Sequence, residues 1–199
     1  MPLSPPVARE HLHTRAITLH GYRRADGLLD IEAKLTDTKT YDFTNQDRGE
    51  VRAGEPVHQM LARMTIDNTM TIVRFEAVTE YGPFKICPTA APNFERLAGL
   101  SVGRGFLKAA NERIGGIHGC THLRELLGQM GTVAFQTMFA MRKAPALDTA
   151  NATETASPPP ETPAAKKPLL LGTCLAYAPS SYVVQRQYPE YYVAPEGER

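Results

Sequence analysis

The chain has 199 residues, 42% of them hydrophobic, with 22 Lys and Arg against 21 Asp and Glu, a formal net charge of +1. That length suits one domain with extensions, the apolar share supports a buried core, and the balanced charge excludes a general attraction to nucleic acid or anionic lipid. No apolar stretch approaches the roughly 20 residues that span a bilayer, which excludes a membrane partner.

The opening segment, MPLSPPVAREHLHTR, has prolines and charges where a signal peptide needs an apolar run, so the expected compartment is the cytoplasm. Residues 1–9 and 191–199 read as tails around a single domain over 10–190. From Arg15 the pattern is that of a strand, with Ile17 and Leu19 alternating with Thr18 and His20. Ala25-Asp26-Gly27 signals a turn. Leu29, Ile31, Ala33 and Leu35 then alternate with Asp30, Glu32 and Lys34, the period of a half-buried strand, and the pair is a predicted β-hairpin.

The polar stretch Thr36–Glu55 has room for a short strand at Thr40–Phe43 and is otherwise loop. From Pro56 the alternation resumes, with His58, Met60, Ala62, Met64 and Ile66 on one face; Asp67-Asn68 turns the chain and Met70–Tyr81 returns it. These segments predict an antiparallel sheet of four or five strands with one face buried. Pro92–Leu97 opens a short helix that Gly99 ends, and Gly105–Arg113 forms a second. The clearest helix runs from about Thr121 to Met141. Its stripe of Leu123, Leu126, Leu127, Met130, Ala134, Thr137, Met138 and Met141 has three-and-four spacing and is expected to cover the sheet, with Gly128 and Gly131 permitting close packing.

Residues 144–168, rich in Ala, Pro and Thr, read as a disordered or extended linker. Leu169–Tyr177 and Tyr182–Tyr188 are expected to return to the sheet as its last strands. The fold class is therefore α+β: an antiparallel sheet against a long helix of the C-terminal half, then a Pro/Ala-rich linker before the last strands.

Cys87, Cys120 and Cys174 are odd in number and widely spaced, which is no disulfide framework, so reduced thiols are expected. The chain has no CxxC, HExxH, P-loop, GxGxxG or GxSxG motif. The segment Gly115–Leu123 carries more chemistry. Its glycine turns deliver Cys120, Thr121 and His122 to the start of the long helix, where backbone N–H groups are unpaired and the dipole is positive. A thiol in that setting is a better nucleophile or metal ligand, and His122 can serve as its base or co-ligand. The plain alternative is that Thr121 caps the helix, Cys120 packs and His122 lies at the surface.

His11 and His13 share a strand face and can join His58, Cys120 or His122 around one divalent metal; the bland reading is a polar lead-in. His58 sits on an apolar face, either as a satisfied core-edge histidine or as a general base at the mouth of a pocket. On the charged hairpin, Arg15 or Arg24 can hold a carboxylate or phenolate by its planar fork, and Asp37 with Lys39 can position a proton relay. Tyr22 is a further substrate-binding candidate, although most of these charges are expected to form cross-strand pairs on a solvated face. Met60, Met64, Met70, Met130, Met138 and Met141 are read as core filler.

The runs His13-Thr14-Arg15, Gly21-Tyr22-Arg23-Arg24 through Asp26-Gly27-Leu28 to Asp30-Ile31-Glu32, and Asp37 with Lys39 resemble the bacterial family called domain of unknown function 2889. So do Gly54, Pro56 and His58, the run Gly119–Leu123 with Glu125-Leu126-Leu127, and Ala134–Thr137. The resemblance covers most of residues 10–142 and the segment near Cys174. In the family a histidine often follows the C-terminal cysteine. Here the run is Gly172-Thr173-Cys174-Leu175, which speaks against a site built on Cys174.

The resemblance points to bacterial gene sets that degrade aromatic and lignin-derived compounds. It implies a small-molecule enzyme, a lyase acting on an aromatic compound by acid–base chemistry without a cofactor. The expected catalytic residues are His58, Cys120, His122 and Lys39, and the expected substrate-binding residues are His13, Arg15, Tyr22 and Asp37. The alternatives are a metal-binding enzyme or accessory protein with Cys and His ligands, and a non-catalytic ligand-binding domain. A homo-oligomer is compatible with all three.

Overall fold

The computed structural model describes residues 3–143, 168 and 170–195. By its internal packing the chain divides into two compact units, residues 1–156 and 157–199. The expected linker at 144–168 lies outside the described residues except for Pro168.

In the first unit, β1 (His13–Arg23) and β2 (Leu29–Lys39) form the predicted hairpin. Its turn closes with Arg24 N donating to Leu28 O at 2.9 Å and Gly27 at φ 83°, a left-handed conformation that glycine takes without a Cβ penalty. The polar stretch that follows holds a small hairpin, β3 (Phe43–Asn45) with β4 (Gly49–Val51), rather than a single strand at 40–43. The Asn45 side-chain oxygen accepts from Asp47 N and Arg48 N, so one polar side chain supplies the turn. Next come β5 (Pro56–Ile66) and β6 (Ile72–Tyr81), and the main sheet has the antiparallel order β1-β2-β5-β6. At their turn, Asp67 Oδ1 accepts from Thr69 N and Thr71 N, and Met70 has φ 66°.

Alternation sorts the two faces. Leu29, Ile31, Ala33 and Leu35 are buried with Met60, Ala62, Met64 and Ile66. Residues of the other parity, among them Thr18, His20, Glu32, Lys34, Arg63 and Val78, line a cavity of about 500 Å³ on the opposite face. The run Cys87–Leu97 forms successive 3-10 turns. Pro88 and Pro92 lack the N–H that a continuous α-ladder requires. Phe94 stacks near Phe75 at 5.9 Å between centroids. Helix α1 (Phe106–Ile114) follows, then α2 (Thr121–Lys143).

Helix α2 lies across β1, β2 and β5 and buries Leu123, Leu126, Leu127, Met130, Ala134 and Met138. Each of the leucines and methionines among them contributes roughly 1.5–3 kcal/mol by leaving water. Of the methionines read as core, Met60, Met64, Met70, Met130 and Met138 are buried and Met141 packs at the edge. A Cβ at Gly128 or Gly131 would meet its neighbours only at ordinary distances. The close approach falls instead at Gly21 on β1, where a Cβ would stand 1.8 Å from Thr137 Oγ1.

The C-terminal segments expected as strands are helical. The second unit holds 3-10 turns at Leu175–Tyr177 and Pro189–Tyr191 and a short helix, α3 (Tyr182–Gln187). Ser181 Oγ accepts from Val184 N and so caps α3, and Pro189 follows its end. The cap and the proline outweigh the strand preference of Tyr and Val.

Candidate functional site

Asp37 continues the buried face of β2 one step past Leu35. It is 2% exposed, a carboxylate where alternation calls for an apolar side chain. Such a group is tolerated only if its oxygens are fully paired. Register supplies the partners: Arg15 of β1 stands opposite Asp37, and Asp37 stands opposite His58 of β5. One straight row across three strands therefore carries a cation, an anion and an imidazole.

Arg15 grips Asp37 with its planar fork, Nε to Oδ1 and Nη2 to Oδ2, both at 2.8 Å. His58 Nδ1 lies 3.0 Å from Oδ2, and His13 Nε2 lies 3.2 Å from Oδ1. The β5 strand bulges here, since Asp37 faces His58 while Thr38 faces Pro56. Helix α2 completes the cluster from above. His122, in its first turn, stacks on His58 with centroids 3.8 Å apart and planes at 30°. His122 Nε2 is 4.0 Å from Asp37 Oδ2, and its Nδ1 is 3.9 Å from Cys120 Sγ. One turn on, Glu125 accepts from Arg15 Nη1, so one guanidinium ties the helix to the sheet.

Burial tends to raise the Asp37 carboxyl, but the Arg15 bonds, the Arg15 charge and the nearby histidines outweigh it and hold Asp37 below its ordinary value. Asp37 is thus ionised and can only accept. Burial lowers His58, helped by the neighbouring His122 and opposed by Asp37. His122 is lowered too, by burial first and then by Arg15, against Asp37 and Glu125. Both imidazoles are neutral at pH 7. Because Asp37 accepts, the His58 proton sits on Nδ1, which leaves the Nε2 lone pair free.

The structure brings together His13, Arg15, Asp37, His58, Cys120 and His122 from the sequence candidates. Tyr22 is elsewhere: seven residues along β1 from Arg15, it takes the opposite face and lies 6.0 Å from the His20 ring. Lys39 shares the Asp37 face, but its Nζ lies over the rings of Tyr41 and Phe43, at 5.0 and 4.3 Å. Arg24 pairs with Asp26 and Asp30 at the hairpin turn. His11 contacts Thr14 and the His13 carbonyl. Cys174 is exposed, in the other unit.

Glu125 was not singled out for chemistry by the sequence reading. Its signal is spacing: three residues after His122 on a helix, it shares that residue's face.

Among the described residues, no helix is long and apolar enough to cross a membrane. No curated protein and no solved structure matches the chain. Residues 13–136, which hold every member of the cluster, match the family described as "Protein of unknown function (DUF2889)". That match spans more than half of the chain, so the protein belongs to the DUF2889 family.

Proposed function

We propose that this protein is a small-molecule enzyme, a lyase on an aromatic compound, that works by acid–base chemistry at Asp37, His58 and His122. The observation that carries the reading is the Asp37–His58 hydrogen bond, with the carboxylate clamped by Arg15 on its other side. A buried carboxylate that fixes an imidazole tautomer and leaves Nε2 unprotonated is the arrangement of an oriented general base. His58 Nε2 would take the proton of a phenol or alcohol, and the imidazolium so formed would return that proton to the leaving fragment, with His122 stacked on the ring to hold it in place. The lowered basicity of both rings suits this work near neutral pH. The aromatic substrate class rests on the family resemblance.

Arg15 does not fit the substrate-clamping role expected of it. All three of its nitrogens donate to Asp37 and Glu125, so it acts as a positioning residue.

The test is a panel of phenolic substrates scored by NMR for cleavage products, with wild type, His58→Ala and His122→Ala. We expect the His58 variant to lose about 100-fold or more in kcat, the ordinary worth of a positioned base. Full activity in both variants would sink the reading.

A second reading is favoured by one observation. Asp37, His58 and His122 each offer a ligand atom, all within 4.8 Å of one another, and two histidines with a carboxylate suit zinc or ferrous iron. Tetrahedral bonds of about 2.0–2.2 Å set ligand atoms roughly 3.3–3.6 Å apart, so the three side chains would have to close in on the ion. Against it, both Asp37 oxygens already accept from Arg15. About one metal per chain in purified protein, lost in His58→Ala/His122→Ala, would favour this reading over the first.

A further inference from the structure

Removing a proton from a phenol or alcohol leaves a negative charge that needs a cation close by. Arg15 is fully engaged, and Arg24 pairs at the far end of the hairpin. Lys39 is differently placed. It lies on the Asp37 face of β2, two residues or about 7 Å further along. Directly opposite it stands His13, whose own ring touches Asp37. Among the described residues, no carboxylate lies within ion-pair distance of Lys39.

The rings of Tyr41 and Phe43 hold the ammonium instead, and they meet each other edge to face at 6.5 Å. A carboxylate partner would neutralise the charge; two ring faces orient it and leave it available. Tyr41 is 43% exposed, so the shelf is open to solvent.

We propose that Lys39, Tyr41 and Phe43 form a subsite for an anionic group on an aromatic ring, a phenolate or a carboxylate, carried by the substrate of the Asp37–His58–His122 centre. This rests on the acid–base reading above. Lys39 donates a charge-assisted hydrogen bond to the anion, and the two rings supply apolar contact to the aryl body. Lys39 is thereby a specificity-determining residue, selecting acids and ionised phenols over neutral aryl compounds.

The experiment is an NMR titration of the full chain with two probes, 4-hydroxybenzoate and the neutral 4-methoxybenzyl alcohol. Wild type is expected to bind the anionic probe more tightly. Lys39→Met should weaken that binding about tenfold and leave the neutral probe within about twofold, while Lys39→Arg retains most of the affinity. Phe43→Leu should weaken both probes. Thermal melts of each variant show that the fold is kept. Equal affinity of wild type and Lys39→Met for 4-hydroxybenzoate would overturn the subsite, as would no binding of it by wild type.

His58→Gln in the same titration separates the two claims. Retained probe binding with lost turnover supports both. Lys39-dependent binding together with turnover that survives His58→Gln keeps the subsite and defeats the acid–base reading.

Discussion

At the residue scale, Asp37 is the group around which the site is organised. Its two oxygens accept from Arg15 and His58, with His13 Nε2 3.2 Å from Oδ1, which is enough to offset its loss of water. Asp37→Asn keeps the shape but presents an N–H to the Arg15 fork. We expect it to destabilise the protein by about 3 kcal/mol in chemical unfolding, the cost of breaking a buried pair, and to free the His58 tautomer. The pH profile tests the same geometry. His58 is held below its ordinary value, so kcat/KM should rise with pH along an acid limb centred below about 6.5, with the same midpoint for His58 in an NMR titration. A midpoint above that value would contradict the burial of His58. Asp37 reads as part of a polar stretch, so its burial was hidden, but the ionisable side chains themselves were legible as candidates. Their partnership was not, because it depends on strand register and on where α2 lands, and neither is written in local periodicity.

At the element scale, the position of α2 over the sheet is set by the contact between Gly21 and Thr137. The helix comes so near β1 that even a methyl group at residue 21 overlaps the threonine hydroxyl. Gly21→Ala should cost about 2 kcal/mol by overpacking. Thr137→Ala in the same chain should recover part of that, since it removes the hydroxyl but keeps the Cβ that would stand 2.9 Å away, a coupling that a double-mutant cycle reads directly. The main-sheet strands and α2 were legible from their periods of two and near 3.6. The C-terminal strands were misread for an equally physical reason. Six residues of Tyr, Val, Gln and Arg carry too little periodicity to set against one serine cap. The β3–β4 hairpin was missed because its strands have three residues each, shorter than any alternation can reveal.

For the molecule as a whole, the cluster makes stability depend on pH in a direction that can be worked out. The His58 and His122 imidazoles bind protons less readily when folded than when unfolded. Below about 6.5, and down to the folded values, the unfolded state holds more protons, so stability falls as the solution is acidified. Asp37 adds a second loss at lower pH. Its contribution is complete above about 3.9 and disappears as pH falls through its depressed folded value. Thermal melts between about pH 7 and pH 5 should show a falling unfolding temperature in wild type and a flatter line in His58→Gln/His122→Gln. Parallel lines for the two proteins would contradict the neutral, buried imidazole pair.

The row of Arg15, Asp37 and His58 also bears on how such a site is gained or lost in descent. Its three members meet because three strands keep one frame, and strand side chains change sides with every added residue. A single codon inserted after Thr36 would leave Leu29, Ile31, Ala33 and Leu35 inside while turning the carboxylate to the other face. Such a chain would keep its core and lose the cluster, with every one of its amino acids still present.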